Sequence, residues 1–475
     1  MTARKATKPA ISFGTDGWRG IIAESFTFDT VRLVSQAIAD YVRSRHAAPR
    51  GIVIGFDNRF QGETFSRLVA EVMVGNGIPV CLAPEPLPTP AISFAVHHHD
   101  MVGGVMITAS HNPAEYNGLK FKTPDGASAD QTVTSVFEKN LGQSPIRSVP
   151  LERADKALIL DLPIELPYLN WIRTFADYRM LGLKRYNVII DSMYGVGKRY
   201  IEKLLDGTGH NVTTIRATRN PTFHGIVPEP VPRNLEATAD VVRACNGHVA
   251  CATDGDADRL AALDDKGAYI ITPRIAVLIA MHLQRNRGWT GSFVKTLSCS
   301  MTVDRFAAEA GMKVIETPVG FKHIVPHLLS GNALIGTEES GGLGFKNHIP
   351  ERDGILGSLL FIESLIGIGF NCASEAMAFL DDHYGTLRYH RVDERASPGT
   401  RETFARSVKA KPPKELLGKR VVRIKDCDGI KFECEDDSWL LIRFSGTEPV
   451  VRFYAEASSY EDAIALTEIG REMLA

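Results

Sequence analysis

The chain is short of the features that mark secreted, membrane-spanning or polyanion-binding proteins. Its 475 residues hold only seven cysteines, at 81, 245, 251, 299, 372, 427 and 434, and none forms a CxxC pair. An odd, dispersed set argues against a disulfide framework and for reduced thiols in the cytoplasm. Charge of one sign is also scarce. The formal net charge is −2, so neither a nucleic acid nor a membrane surface is expected as the main partner. Any phosphate must then be met by local positive groups. Long hydrophobic runs are missing as well. The stretch 275–283 is too short to span a bilayer and 358–370 carries Glu363, so both read as buried helices. Met1-Thr2-Ala3-Arg4-Lys5 lacks the apolar segment of a signal peptide. No stretch is low-complexity, and no strict short-period repeat is visible.

What is present is an ordinary globular composition, 44% apolar and 23% charged, on a chain too long for one core. Three or four domains are expected. Residues 27–45 are predicted to be a helix, because Val31, Val34, Ile38 and Tyr41 recur at spacings of three and four and Thr27 or Asp29 can cap the start. A strand at 51–56, a helix at 63–76, a strand at 78–82, a proline-rich loop at 84–90, a helix at 90–97 and a strand at 102–107 follow. Residues 143–165 read as a linker. A second unit has a helix at 168–183 and a strand at 187–191. A third begins near Asp264, with helices at 273–285 and 301–311 and strands at 292–296, 313–316 and 333–336. Strands alternating with helices mean α/β units with functional loops at the carboxyl edge of the sheet. From about Leu387 the texture changes to short β-rich runs at 421–424, 431–435, 439–444 and 450–456 before one terminal helix at 460–474. The expectation is three α/β mixed-sheet domains, 1–150, 160–263 and 264–380, and a C-terminal α+β domain, 385–475.

Two blocks carry the strongest chemistry. Thr108-Ala109-Ser110-His111-Asn112-Pro113 follows an apolar strand, which presents Ser110 as a nucleophile in a tight polar turn, with His111 beside it. Downstream, Asp254, Asp256 and Asp258 alternate in Asp-Gly-Asp-Ala-Asp-Arg, ending at Arg259. Alternate side chains of an extended loop point the same way, so three carboxylates can converge on one hard cation. An EF-hand would need Gly at the sixth position and Glu at the twelfth; Arg259 and Asp265 stand there, so that reading fails, and a Mg²⁺ site with a phosphorylated Ser110 as a fourth ligand is expected over a solvated acidic turn. A hydroxyl beside a divalent cation is the minimum equipment for phosphoryl transfer through the protein.

Four further blocks fit around these. Phe13-Gly14-Thr15-Asp16-Gly17-Trp18-Arg19-Gly20 is a Gly-rich turn that offers Arg19 to a phosphate, and Lys120 follows the Ser110 loop. Thr337-Glu338-Glu339-Ser340-Gly341-Gly342 suits sugar hydroxyls, since one carboxylate accepts two hydrogen bonds; Glu338 and Ser340 are the candidates. Arg443-Phe444-Ser445-Gly446-Thr447-Glu448-Pro449, with Arg452, makes a phosphate cradle. Thr317-Pro318-Val319-Gly320-Phe321-Lys322-His323 offers Lys322 to the transferring proton or phosphate. His97-His98-His99 cannot all face one ion from a helix and reads as a solvated helix end.

Together these blocks, in this order, resemble the α-D-phosphohexomutase superfamily, which includes phosphoglucomutases and phosphomannomutases. The resemblance implies four domains around a central cleft. It implies a phospho-Ser110 that donates to the 6-hydroxyl of a hexose 1-phosphate, and a 1,6-bisphosphate that turns over and rephosphorylates Ser110. Asp254, Asp256 and Asp258 would hold one Mg²⁺ with Ser110, and glucose 1,6-bisphosphate would serve as intermediate and activator. Arg443, Ser445, Gly446, Thr447 and Arg452 would take the non-transferring phosphate, with Arg259 among the substrate-binding residues. Arg19, Lys120, His111 and Lys322 are the catalytic candidates around Ser110. Glu-Glu-Ser-Gly resembles the gluco/mannomutase form of the sugar loop; phosphoglucosamine mutases usually show Glu-Gln-Ser-Gly-His, and Gly342 stands where that His would be. The expected partners are small sugar phosphates, and the expected assembly is a monomer or homodimer. The alternatives are a glucose 1,6-bisphosphate synthase using a donor such as fructose 1,6-bisphosphate, a phosphoglucosamine mutase and a non-catalytic sugar-phosphate sensor.

Overall fold

The spacing of Val31, Val34 and Ile38 yields a helix, Phe28–Ser44, with that face fully buried. Its cap is reciprocal: the Thr27 hydroxyl accepts from the Thr30 backbone N–H, and the Thr30 hydroxyl accepts from that of Thr27. The computed structural model describes residues 11–14, 16–46, 48–396, 400–445 and 450–474.

The first sheet runs Trp18–Ile21, Tyr116–Lys122, Gly103–Ile107, Ile52–Phe56, Val80–Leu82. The last three strands are parallel, and Tyr116–Lys122 is antiparallel to both of its neighbours. The second sheet, Tyr269–Ile270, Leu260–Asp264, Val249–Thr253, Asn187–Asp191, Asn211–Ile215, repeats that pattern. The third, Val314–Thr317, Ser292–Thr296, Ala333–Thr337, Leu343–Phe345, ends on one antiparallel strand. In each sheet one loop leaves the carboxyl end of a parallel strand and doubles back as an antiparallel one. Those loops follow Ile107, Thr253 and Thr337, so the Ser110, Asp254 and Glu338 blocks occupy the same topological position. The C-terminal sheet is antiparallel throughout, Arg388–Arg395, Val450–Ala457, Trp439–Phe444, Ile430–Cys434, Lys419–Lys425, Glu415–Leu416, with the helix Tyr460–Glu472 after it. The architecture is thus three mixed α/β sheets and a C-terminal α+β module.

Several elements depart from the sequence reading. The helix expected over 168–183 is broken into Glu165–Arg173 and Tyr178–Leu181, because the Asp177 carboxylate caps the second by accepting from Arg179 and Met180 N–H. Tyr269–Ile270 pairs with Leu260–Asp264, so the second sheet runs past residue 263. The expected linker is strapped to the first unit: Val149 N–H donates to Glu71, and Leu160 N–H to Val80. The strands Trp18–Ile21, Tyr116–Lys122 and Arg388–Arg395 and the helix Thr400–Ala410 were not expected.

The first unit has its own core around Val34, Ile54 and Phe137. The second and third share one, which also takes in the Thr89–His98 helix. The helix Gly354–Ile368 is buried nearly end to end within it, and its Glu363 is paired with His282 and Arg287. Among the described residues no single helix is long and apolar enough to cross a membrane; Gly354–Ile368 and Ala373–Tyr384 reach that length only as a pair bent by 70°. All seven cysteines are free. His97 and His98 are exposed at the end of their helix, a solvated end as expected.

Candidate active site

The wholly buried strand Gly103–Ile107 delivers Ser110 to its carboxyl end. Ser110 adopts φ 53, a left-handed conformation that costs a non-glycine residue about 1–2 kcal/mol. The surroundings over-determine it. Ser110 N–H donates to Thr108 Oγ1 at 2.8 Å, and Thr108 Oγ1 donates to Asp57 Oδ2 at 2.6 Å. Arg59, fully buried, donates to four carbonyls of the loop: Ser110 at 2.7 Å, Asn112 at 2.6 Å, Pro113 at 2.7 Å and Tyr116 at 3.1 Å. Between Asp57 and Arg59, Asn58 Nδ2 reaches into the second unit and donates to Tyr194 O at 2.8 Å and Gly195 O at 2.9 Å. Gly195 lies against the Asp254 loop, where a Cβ would sit 2.7 Å from Asp254 O. One tripeptide therefore ties the Ser110 loop to the aspartate loop.

Ser110 Oγ donates to Asp254 Oδ2 at 2.8 Å. The loops approach this closely because residue 255 is glycine: a Cβ there would lie 2.5 Å from Ser110 O. Asp254, Asp256 and Asp258 are fully buried, with ligand oxygens all within 4.8 Å of one another. Lys120 Nζ lies 2.8 Å from Asp256, 3.0 Å from Asp258 and 2.8 Å from Asp16. Arg352 Nη2 donates to Asp258 at 2.7 Å and to Asp16, and Thr89 Oγ1 to Asp256 at 2.6 Å. Even so, Asp256 Oδ1 and Asp258 Oδ1 are buried without a hydrogen-bond partner. Burial and the two neighbouring carboxylates push Asp254 well above the usual range. A buried, all-oxygen set with two unsatisfied carboxylate oxygens fits a hard divalent cation such as Mg²⁺.

Above this floor lies a cleft of about 700 Å³. Arg19, His111, Arg259 and Lys322 line it, as do Glu338, Ser340, Arg443, Ser445 and Arg452. Ser110 and Lys120, each 1% exposed, sit just beneath, with His111 and Asn112 between them and the opening. Arg19 Nη1 donates to Asn112 Oδ1 at 2.6 Å. His111 Nδ1 is 3.4 Å from Ser110 Oγ, and burial together with Arg259, Arg19 and Lys120 drives its pKa well below the usual value, so the ring is neutral. Lys120 is held charged: its carboxylate partners outweigh burial. Burial lifts Glu338 to about 7. Beside it a Cβ on Gly342 would lie 2.7 Å from Glu338 Oε2 and 2.8 Å from Arg352 Cδ, so Arg352 fills the space a larger residue at 342 would need. Arg259 Nη1 donates to Ser340 O at 3.4 Å. On the C-terminal side Arg443 is held by Asp428 at 2.8 Å and Arg452 by Asp393 at 3.2 Å. Asp428 also accepts from Val319 N–H, linking the Lys322 segment to the Arg443 strand. Gly446 and Thr447 lie outside the described residues.

Sequence reasoning missed Asp16, Asp57, Asn58, Arg59 and Arg352. Asp57-Asn58-Arg59 follows a buried strand just as Thr108–Ser110 does, and that position was the available signal. Arg352 had none, since its partner Asp16 is 336 residues away.

Profiles of four phosphoglucomutase/phosphomannomutase domains match the chain in order: alpha/beta/alpha domain I at 10–144, domain II at 167–267, domain III at 273–380 and the C-terminal domain at 404–468. The chain belongs to the phosphoglucomutase/phosphomannomutase family. It is 31% identical over 465 residues to a phosphoglucomutase/phosphomannomutase of Thermococcus kodakarensis, covering 97% of this chain and 98% of the relative. It is 29% identical to a probable phosphoglucosamine mutase of Methanosphaera stadtmanae, covering 97% and 98%. Among solved structures, a Thermus thermophilus protein provisionally named a phosphomannomutase superposes with a TM-score of 0.86 at 34% identity, over 98% of this chain and 99% of the other. The family carries out intramolecular phosphoryl transfer on hexose phosphates, and its α-D-phosphohexomutase fold is the one described above.

Proposed function

We propose that this phosphohexomutase interconverts hexose 1-phosphate and hexose 6-phosphate of glucose, and of mannose, through phospho-Ser110 and a 1,6-bisphosphate. One observation carries the reading: Ser110 Oγ meets a buried aspartate cluster at 2.8 Å, and its neighbours His111 and Asn112 line a cleft that Arg443 and Arg452 also line. A nucleophile at one end and anchored guanidiniums at the other suit a ligand phosphorylated at both ends.

In the first half-reaction the P–O bond to Ser110 breaks as one forms to the sugar hydroxyl. In the second the other phosphoryl group returns to Ser110 after the bisphosphate turns over, for which a 700 Å³ cleft leaves room. Mg²⁺ held by Asp254, Asp256 and Asp258 would neutralise charge on the phosphoryl oxygens. His111, with Nδ1 3.4 Å from Ser110 Oγ, stands at the reacting group as a candidate for positioning it. Arg19, fixed on Asn112, stabilises charge on the same group, and Lys120 acts through its charge, not as a base. Glu338 and Ser340 accept from and donate to sugar hydroxyls, with Arg259 beside them and Lys322 across the cleft. Arg443, Ser445 and Arg452, with Gly446 and Thr447 by resemblance, hold the phosphate that is not transferring.

A hexosamine phosphate is the second reading, favoured by the phosphoglucosamine mutase names among the relatives. A fold relative at 17% identity and TM-score 0.57, an Aspergillus fumigatus N-acetylphosphoglucosamine mutase variant, was solved with glucose 1,6-bisphosphate, the compound that the glucose reading makes the intermediate. The relatives carry mutase names, which gives the bisphosphate-synthase alternative no support. A ³¹P NMR time course with Mg²⁺, a trace of glucose 1,6-bisphosphate and, in turn, glucose, mannose and glucosamine 1-phosphates tests the reading. Fast conversion of the glucose and mannose esters supports it. Exclusive conversion of the glucosamine ester moves the assignment to the amino sugar. In a parallel run with fructose 1,6-bisphosphate as donor, accumulating glucose 1,6-bisphosphate with little isomerisation would overturn it.

A further inference from the structure

The edge strand Arg388–Arg395 escapes every motif in the sequence, yet it puts a charged group into the cleft. Arg391 and Asp393 alternate along it and so share one face of the sheet. The antiparallel register sets Arg391 opposite Tyr454 and Asp393 opposite Arg452, which in turn faces Arg443. Arg391, Tyr454, Arg452 and Arg443 all line the cleft.

Arg391 is fixed in two ways. Its Nε and Nη2 donate to the two oxygens of Asp393, each at 2.7 Å. Its guanidinium carbon lies 5.4 Å from the centroid of the Tyr454 ring. The fork with Asp393 leaves Nη1 outside the pair. Arg443 and Arg452 are held in the same manner, Nε on an aspartate. Asp393 serves two guanidiniums at once, so Arg391 and Arg452 are oriented by one carboxylate. Glu339 of the sugar loop lines the same cleft as Arg391 and Arg443 and acts electrostatically on both.

We propose that Arg391 is a third guanidinium of the phosphate subsite, binding the non-transferring phosphate from the edge-strand side while Arg443 and Arg452 bind it from the hairpin side. Asp393 is the positioning residue for Arg391 and Arg452. A planar fork already held at one edge loses little further freedom when a phosphate arrives. The inference rests on the mutase reading for its ligand, a phosphate monoester.

Titration calorimetry of glucose 1-phosphate and of inorganic phosphate into wild type, Arg391→Gln, Arg391→Lys and Arg420→Gln tests it. Arg420, at 73% side-chain exposure and paired with Glu435, controls for loss of a remote charge. Arg391→Gln is expected to weaken both ligands about tenfold to a hundredfold, with Arg391→Lys intermediate and Arg420→Gln unchanged. In turnover the same variant raises KM for both hexose phosphates while kcat stays within about threefold. Binding by Arg391→Gln within about twofold of wild type, or weakened no more than by Arg420→Gln, overturns the proposal. If wild type takes inorganic phosphate but not glucose 1-phosphate, and Arg391→Gln weakens the former, the sugar reading fails and the subsite stands. If wild type takes neither, both fail. Melting curves identify a variant that merely fails to fold, in which case Arg391→Lys carries the test.

Discussion

At the Ser110 end of the cleft the charges are sealed. Lys120 is 1% exposed, its partners Asp256 and Asp258 are at 0% and Asp16 at 13%, and Arg59 and Asp57 are at 0%. At the other end Arg443 keeps 12% of its side chain exposed, Arg452 21% and Asp393 38%. The first arrangement gains strong, unscreened fields but tolerates no missing partner, since a lone buried charge is costly. The second works in a wetter medium, where each pair is weaker and its loss is absorbed. On the proposed mechanism, the chemistry that repeats on both halves of a bisphosphate would take place at the sealed end, and recognition of the two orientations at the forgiving one.

That contrast can be broken, most severely at its centre. Ser110→Ala is expected to lower turnover by at least about 10⁴-fold while calorimetric binding of glucose 1-phosphate stays within about threefold; near wild-type turnover would sink the phosphoserine mechanism. Arg59→Met removes the donors to four loop carbonyls and leaves Asp57 without its cation. It should cost about 3–5 kcal/mol of stability, seen as an earlier melting onset, and lower kcat about 10²-fold or more through a misplaced loop. Asp256→Asn should raise the Mg²⁺ concentration for half-maximal rate by about 10–100-fold; an unchanged Mg²⁺ titration would count against the cluster as ligand set. Arg443→Gln, at the open end, should raise KM about tenfold and leave kcat nearly intact, with a smaller effect at high salt. A collapse in kcat there would erase the distinction between the ends.

The smallest effect sharpens the boundary between them. Glu338 is raised to about 7 by burial, above the value of about 4.3 for an unfolded glutamate. The folded chain thus keeps a proton that the unfolded chain has lost, so this group favours folding below about pH 4 and its contribution falls as pH rises through 7. Glu338→Gln should flatten the decline in melting temperature between pH 5 and pH 8. Parallel declines in the two proteins would mean that Glu338 is ionised throughout.

Local pattern made the Phe28–Ser44 helix and the strand before Ser110 legible, because their apolar periodicity is strong. The strand Tyr116–Lys122 was not legible, because Asn117, Lys120 and Lys122 make it read as a polar loop. Those lysines are buried only because carboxylates from other units meet them, Asp256 for Lys120 and Glu351 for Lys122. The strand Arg388–Arg395 fails for a related reason: an edge strand facing a cleft alternates charge, not hydrophobicity. The blocks around Ser110, Asp254 and Glu338 stand out as local motifs. The residues that fasten them together, Arg59, Asn58 and Arg352, act across separations no local window spans.

The division of the hydrophobic cores bears on how the molecule comes apart. Helix Gly354–Ile368 lies inside one core common to the second and third units, so neither can loosen without exposing the other. The C-terminal sheet instead packs Phe404, Phe432 and Phe453 into a core of its own and meets the third unit through a small cluster of Leu297, Trp439, Leu441 and Tyr454. Amide exchange should therefore show the C-terminal block opening first, independently of the block formed by the second and third units. The arginines proposed to hold the ligand's free phosphate ride on that block, so on that proposal the local stability of the last ninety or so residues would set how long a ligand remains bound.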